Sequence, residues 1–156
     1  MRFPLEVFDA VRRAWPEEKP MSVRISAVDW HPGATGPRTR STSARLLKAP
    51  RLPTSSTSRP GRRSPTSVRS TGVLFQTPFA DRIRHEVGIA TMAVGNISSY
   101  ADVNTILAAG RADLCLLARA HLWDPYWTRH AARELGYPLP WPDPYESLNR
   151  YTPRFT

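Results

Sequence analysis

One stretch, Val87–Leu122 (VGIATMAVGNISSYADVNTILAAGRADLCLLARAHL), leaves the fewest folds open to this chain. Ile89–Val94 is a short apolar run ended by Gly95-Asn96, which reads as a buried parallel strand followed by a tight turn. Ser98 or Ser99 caps a helix, with Asp102 in its first turn, where the helix dipole favours negative charge. Val103, Ile106 and Leu107 then fall at i, i+3 and i+4 on one apolar face, and Gly110 supplies the stop. Asp113–Leu117 reads as a second buried strand that runs into Ala118-Arg119. Two parallel strands joined by a helix form one βαβ unit, which places the chain in the α/β class.

The ends of these strands suggest a binding site. Both carboxyl ends point the same way, and ligands of α/β proteins sit there. Gly95 permits close backbone approach, and N–H groups at the turn and the next helix start suit an anion. Arg119 adds a planar cation whose fork matches phosphate. On spacing alone, an ordinary βαβ unit with nothing bound stays open beside this reading.

The block VGNISSYADVNTILAAGRADLCLLARAHLWDPYWTRHAA resembles the C-terminal end of the Old Yellow Enzyme family of FMN-dependent NAD(P)H oxidoreductases. Within it, the likeness is greatest to the flavin oxidoreductase-like domain of salicylyl-CoA 5-hydroxylase and anthraniloyl-CoA monooxygenase. RFPLEVFDAVRRAWPEEKPMSVRISAVDW and FQTPFADRIRHEVGIA extend it in the family's order. The resemblance implies the C-terminal half of a TIM (β/α)8 barrel and an FMN cofactor reduced by NADH or NADPH. Gly95, Asn96, Ala118 and Arg119 match the turns that hold the FMN phosphate. Many members have Gly where this chain has Ala118, and Ala offers the same N–H. Arg24, in the alternating run Met21–Ala27, matches the Arg that faces the N1/C2-carbonyl edge of the flavin and stabilises negative charge there. The family's substrate anchors and proton donor lie in the first half of the barrel, so no catalytic residue is assigned here. The implied substrate is a small electron-poor molecule, with aromatic CoA thioesters one class. The missing N-terminal half of the same enzyme is an implied partner.

Length fits that reading. A complete TIM barrel takes about 250 residues, and this chain has 156. Around the βαβ unit, Pro4 opens an amphipathic helix through Trp15, and Met21–Ala27 is a strand. Phe79, Ile83 and Val87 lie on one face of a helix. HLWDPYWTRHAARELG reads as one helix capped by Asp124, opened by Pro125 and closed by Gly136, with Trp127, Ala131 and Leu135 as its buried stripe. Trp123, Tyr126 and Trp127 read as core, and YPLPWPDPY as an extended tail. The units are then 1–32 (helix and strand), 33–72 (basic low-complexity segment), 73–144 (C-terminal βα units with the phosphate site) and 145–156 (tail).

The net charge of +9 comes from one place. Between Asp29 and Asp81 there is no acidic residue and there are nine Arg and Lys, which leaves 13 basic against 13 acidic residues elsewhere. Gly33–Gly72 is rich in Ser, Thr, Pro and Arg and has no aromatic residue, the composition of a disordered segment. Nonspecific polyanion binding through this segment is one alternative function, and an inactive gene fragment is another. Without interleaved aromatics no specific nucleic-acid reading is indicated. A third explanation is a shifted reading frame. Pro53–Gly61 (PTSSTSRPG) can be encoded by bases that spell ADLIDVSSG one frame over, which resembles the family's sixth barrel strand. Pro37–Ser43 similarly hides EDAVDI, which joins ARLLKA into a helix, and Ser64–Gly72 hides ADERPVYG. The segment is therefore expected to be a disordered, frame-shifted insert replacing one helix and one strand.

Other chemistry is not indicated. His31, His85, His121 and His130 have no metal-ligand spacing with one another or with Cys115. The single Cys115 reads as core and fits a reducing cytoplasm. No run of 18 apolar residues and no secretory leader is visible, so a membrane role is not expected.

Overall fold

The computed structural model describes residues 2–28, 44–45, 54–60 and 72–152. They divide into two compact units, 1–117 and 118–156. The first contains α1 (Arg2–Ala14), β1 (Met21–Val28), β2 (Thr54–Pro60), α2 (Thr77–Val87), β3 (Thr91–Val94), α3 (Tyr100–Ala108) and β4 (Leu114–Leu116). The four strands form one parallel sheet in the order β1-β2-β3-β4. Parallel neighbours need crossovers, and α2 and α3 supply those from β2 to β3 and from β3 to β4.

Alternation along the strands sorts the sheet into two faces. Ala93 and Cys115 are register partners, and both pack with Ala80 of α2, Ile106 of α3, Ile97 and Ala112. Ile25 of β1 packs on Ile83, Val87 and Ile89, with Ala44 buried in the same cluster. This face is covered by helices. One register row crosses all four strands at Arg24, Thr57, Met92 and Leu114.

The strand β2 corrects one expectation. Thr54–Pro60 lies inside the segment whose composition signals disorder, yet its backbone pairs with β1 on one side and β3 on the other. Composition reports on side chains. A parallel ladder is made by backbone N–H and C=O groups, and the slot between two strands leaves both rows of them to be satisfied. The helix expected over Pro37–Ala49 lies outside the described residues apart from Ala44 and Arg45, and so does most of the remaining basic segment.

The βαβ core follows its local signals. At the start of α3 the Ser99 hydroxyl accepts from Asp102 N at 3.1 Å, and the Asp102 carboxylate accepts from Ser99 N at 3.0 Å, a reciprocal capping box. Those Ser99 hydrogen bonds hold the Asp102 carboxyl below its usual pKa against the opposing effect of burial. Leu107 departs from the expected apolar face: it is exposed while Ile106 is fully buried.

Asp113 ties β4 to its neighbours. Its carboxylate receives Arg84 Nε at 3.1 Å and Thr91 N at 2.8 Å. Burial opposes its ionisation, but the Arg84 and Thr91 hydrogen bonds outweigh it, so its pKa lies below the ordinary 3.8. A depressed carboxylate pKa contributes stability above the unfolded value and loses it as pH falls through the folded one. Denaturant midpoints are therefore expected to be level above about pH 5 and to fall below about pH 4. Asp113→Asn should cost about 1 kcal/mol at pH 7, the ion pair being partly exposed, and the difference from the parent should shrink as pH falls below about 4.

The second unit begins with α4 (Arg119–Trp123), continues in α5 (Trp127–Glu134), and ends in a 3-10 helix, Asp143–Arg150. The expected single helix is thus two. Asp124 is extended at the break, and its side chain accepts from Tyr126 N at 3.0 Å, which closes a local turn in place of a helix cap. Trp123 (92% exposed), Tyr126 and Leu135 are exposed, contrary to the core role expected of them. Trp141 anchors the tail: Arg129 stacks 3.7 Å from its ring and donates to Leu139 O and Pro140 O. These residues border a cavity of about 720 Å³. Part of the tail expected to be extended is the 3-10 helix.

Candidate functional site

Gly95 and Asn96 leave the carboxyl end of β3 with positive φ, +123° and +54°. Such a turn turns backbone N–H groups outward. Among the described residues the N–H groups of Asn96 and Ile97 make no hydrogen bond. The N–H groups of Ser98 and Ser99 are taken by Asp102. The start of α3 is thus already served by its own carboxylate, and the turn is the part suited to an external anion.

Gly95 is demanded by packing as well as by φ. A Cβ there would lie 2.7 Å from Gln76 Oε1 and 2.8 Å from Gln76 Cγ. Gln76 is buried at the foot of α2. Sequence reasoning did not single it out; its signal is the polar residue in FQTPF just before the helix.

Arg24 is exposed on β1. Its neighbour Ile25 packs among the helix-side residues, so Arg24 projects from the opposite face. It has no ion pair among the described residues. Ala118 and Arg119 open the second unit: Ala118 is the N-cap of α4, and Arg119 is its first residue. Both are exposed. The structure therefore brings Gly95 and Asn96 together in one turn, sets Arg24 on the open face of the same sheet, and places Ala118 and Arg119 together in the other unit.

Cys115 packs against the Ala93 cluster, and burial pushes its thiol pKa up. His130 pairs with Asp124 at 2.6 Å. His121 lies 6.0 Å from the Trp127 ring. Among the described residues no group of three His, Cys, Asp or Glu could hold a metal, and no helix is long and apolar enough to cross a membrane.

A parallel sheet with helical crossovers defines the class: an α/β protein. The family follows from comparison with known proteins. The profile of the NADH:flavin oxidoreductase / NADH oxidase family matches residues 1–137, and the chain belongs to that family. It is 42% identical over 135 residues to an NADPH dehydrogenase of Geobacillus sp. (strain WCH70), covering 86% of this chain and 38% of the relative. It is 39% identical over 141 residues to the NADPH dehydrogenase of Geobacillus thermodenitrificans, covering 90% of this chain and 40% of that one. The chain spans about two fifths of the length of the curated relatives it matches. Among solved structures, a 2-naphthoyl-CoA reductase in complex with 2-naphthoyl-CoA superposes with a TM-score of 0.72 at 18% identity, over 88% of this chain and 21% of that one. That likeness speaks for the fold. Family and neighbour both imply a TIM barrel. FMN is the family's cofactor, and NADPH is the reductant named in these relatives.

In the first unit the Asn96 and Ile97 N–H groups are unengaged donors at a left-handed turn, the donor chemistry an FMN phosphate takes; in the second unit Arg119 is an exposed guanidinium.

Proposed function

We propose that this chain is the FMN-phosphate-binding portion of an FMN-dependent NADPH oxidoreductase, built as the C-terminal half of a TIM barrel. The observation that carries the reading is the Gly95-Asn96 turn at the carboxyl end of β3 in a chain of this family. FMN, when bound, supplies the ring that takes hydride from NADPH and passes it to an electron-poor double bond. The backbone donors of Gly95-Asn96 hold the phosphate, a dianion suited to converging N–H groups. Ala118 contributes its N–H, and Arg119 contributes a bidentate charge-assisted contact to the phosphate. Arg24 presents a fixed positive charge to the flavin edge, which favours the reduced anion without reorganisation at the moment of reaction. An aromatic CoA thioester is one acceptor class, implied by the sequence resemblance to the CoA-ester flavoenzymes.

A chimera tests this. The first three fifths of the Geobacillus NADPH dehydrogenase, joined to this chain, should retain FMN and oxidise NADPH. Arg24→Gln in the chimera should slow anaerobic bleaching of the flavin by NADPH about 10-fold or more, the scale of one lost electrostatic contact, with FMN still bound. A folded chimera that purifies without flavin contradicts the proposal.

A further inference from the structure

Glutamines are mostly exposed, yet Gln76 is buried. It is the N-cap of α2, a place where helices favour Ser, Thr, Asp or Asn, and its side chain makes no cap hydrogen bond. Neither solvent nor the helix end accounts for it. Its side chain lies against the Gly95-Asn96 turn. The helix α2 carries the chain back from the carboxyl end of β2 to the start of β3, so its first residues lie beside the carboxyl end of β3. A Cβ on Gly95 would stand 2.7 Å from Gln76 Oε1, 2.8 Å from its Cγ and 3.0 Å from its Cβ. Gln76 is itself held in place: its carbonyl accepts from Phe79 N at 3.1 Å, Thr77 N donates to Leu74 O at 3.0 Å, and Thr77, Ala80 and Ile83 are buried behind it.

The turn is anchored on both sides, by Ala93 and Ile97 in the cluster that contains Ala80. Between the anchors, Gly95 and Asn96 keep positive φ, and at Asn96 a negative φ is the easier state for an L residue. Turning the Gly95–Asn96 peptide over would restore that state and aim the Asn96 N–H the other way. We propose that Gln76 is the positioning residue of this turn. Packed along Gly95, its side chain keeps the Gly95–Asn96 peptide from turning over and so keeps the Asn96 N–H presented to the phosphate. The binding donor stays in the turn, and Gln76 acts through it, as the residue behind a binding group does when it fixes that group's direction. This rests on the FMN-phosphate reading of the turn.

The test compares FMN with riboflavin on the full chain, by fluorescence titration and by the backbone amide resonances of Asn96 and Ile97. Gln76→Asn keeps the amide and shortens the side chain by one methylene; Gln76→Met keeps the length and loses the amide. Gln76→Asn should cut the preference for FMN over riboflavin from about 10-fold to about 2-fold or less, since a hydrogen bond to a charged group is worth about 10-fold or more. It should also abolish the shift of the Asn96 amide that FMN produces and riboflavin does not. Gln76→Met should keep both. Ile83→Val, a one-methylene loss at another buried residue of α2, gauges general loosening and should leave the preference unchanged. A Gln76→Asn chain that is less stable but keeps the preference overturns the proposal, because Gln76 is then structural only. So does a Gln76→Met chain that loses it as fully as Gln76→Asn, or an equal loss in Ile83→Val. A parent chain with equal affinity for the two flavins contradicts the FMN reading and this proposal together. A parent preference indifferent to residue 76 contradicts the positioning role alone.

Discussion

Replacing Pro53–Gly61 (PTSSTSRPG) by ADLIDVSSG is expected to raise the thermal midpoint by roughly 10 °C. The register fixes where the new side chains fall. Ser56 pairs with Val23 and Thr91, and Ser58 pairs with Ile25. Ile25 and Thr91 lie on the helix-covered face, where Thr91 is buried with an unpartnered hydroxyl. The replacement puts Ile at 56 and Val at 58, in those same rows. Burying two such side chains contributes about 3–5 kcal/mol, and a domain of this size shifts about 2–4 °C per kcal/mol. The outcome bears on the reading frame. β2 occupies the residues whose shifted frame spells a barrel strand, and a sheet buried on one side gains most from that sequence. A shuffled replacement of equal composition, with Ile and Val moved to 55 and 57, should gain far less, because a one-residue slip sends every side chain to the other face. Equal gains from both versions would argue that composition alone, not this register, limits stability. Thermal melts of the three chains decide it.

Gly95→Ala should cost about 3 kcal/mol. Two effects add there. The +123° φ is a region L side chains rarely adopt, and the new Cβ would meet Gln76 within 3.0 Å at three atoms, two of them close to the Gln76 backbone. Gln76 is 2% exposed and has little room to give. At Asn96, whose φ of +54° is left-handed but accessible to Asn, Asn96→Gly should change stability by no more than about 1 kcal/mol. Denaturant titrations of both variants separate the demands of the turn; a mild Gly95→Ala would mean that the Gln76 side chain moves aside.

The βαβ unit was the part most legible in the sequence, because its signals are local. Gly95-Asn96, the Ser99–Asp102 pair and Gly110 each fix backbone geometry within a few residues, and all three act as expected. β2 was not legible, because TSSTSRP has no apolar alternation and its place is set by two neighbouring strands distant in sequence. The break at Asp124 was hidden for another reason. Residues on both sides carry helical patterns, and an Asp before a Pro reads equally as a helix cap or as a turn; the extended Asp124 backbone selects the turn. The apolar residues Trp123, Leu107, Leu114 and Leu116 were read as core because type was taken for burial, and each is exposed. At the site, residue types pointed to an anion, while part of the need for Gly95 came from Gln76 at the start of α2, a contact that no linear pattern records.

The most direct measurement of the central claim is a titration of the chain with FMN and with riboflavin, followed by flavin fluorescence. The two ligands share the ring and differ by the phosphate. If Gly95-Asn96 and Arg119 hold that phosphate, FMN binds weakly but at least about 10-fold more tightly than riboflavin, the worth of one bidentate charge-assisted contact. Arg119→Ala then removes most of the difference, while Arg24→Gln leaves it in place. Equal affinity for the two flavins, or a preference for FMN that Arg119→Ala does not touch, would contradict the assignment.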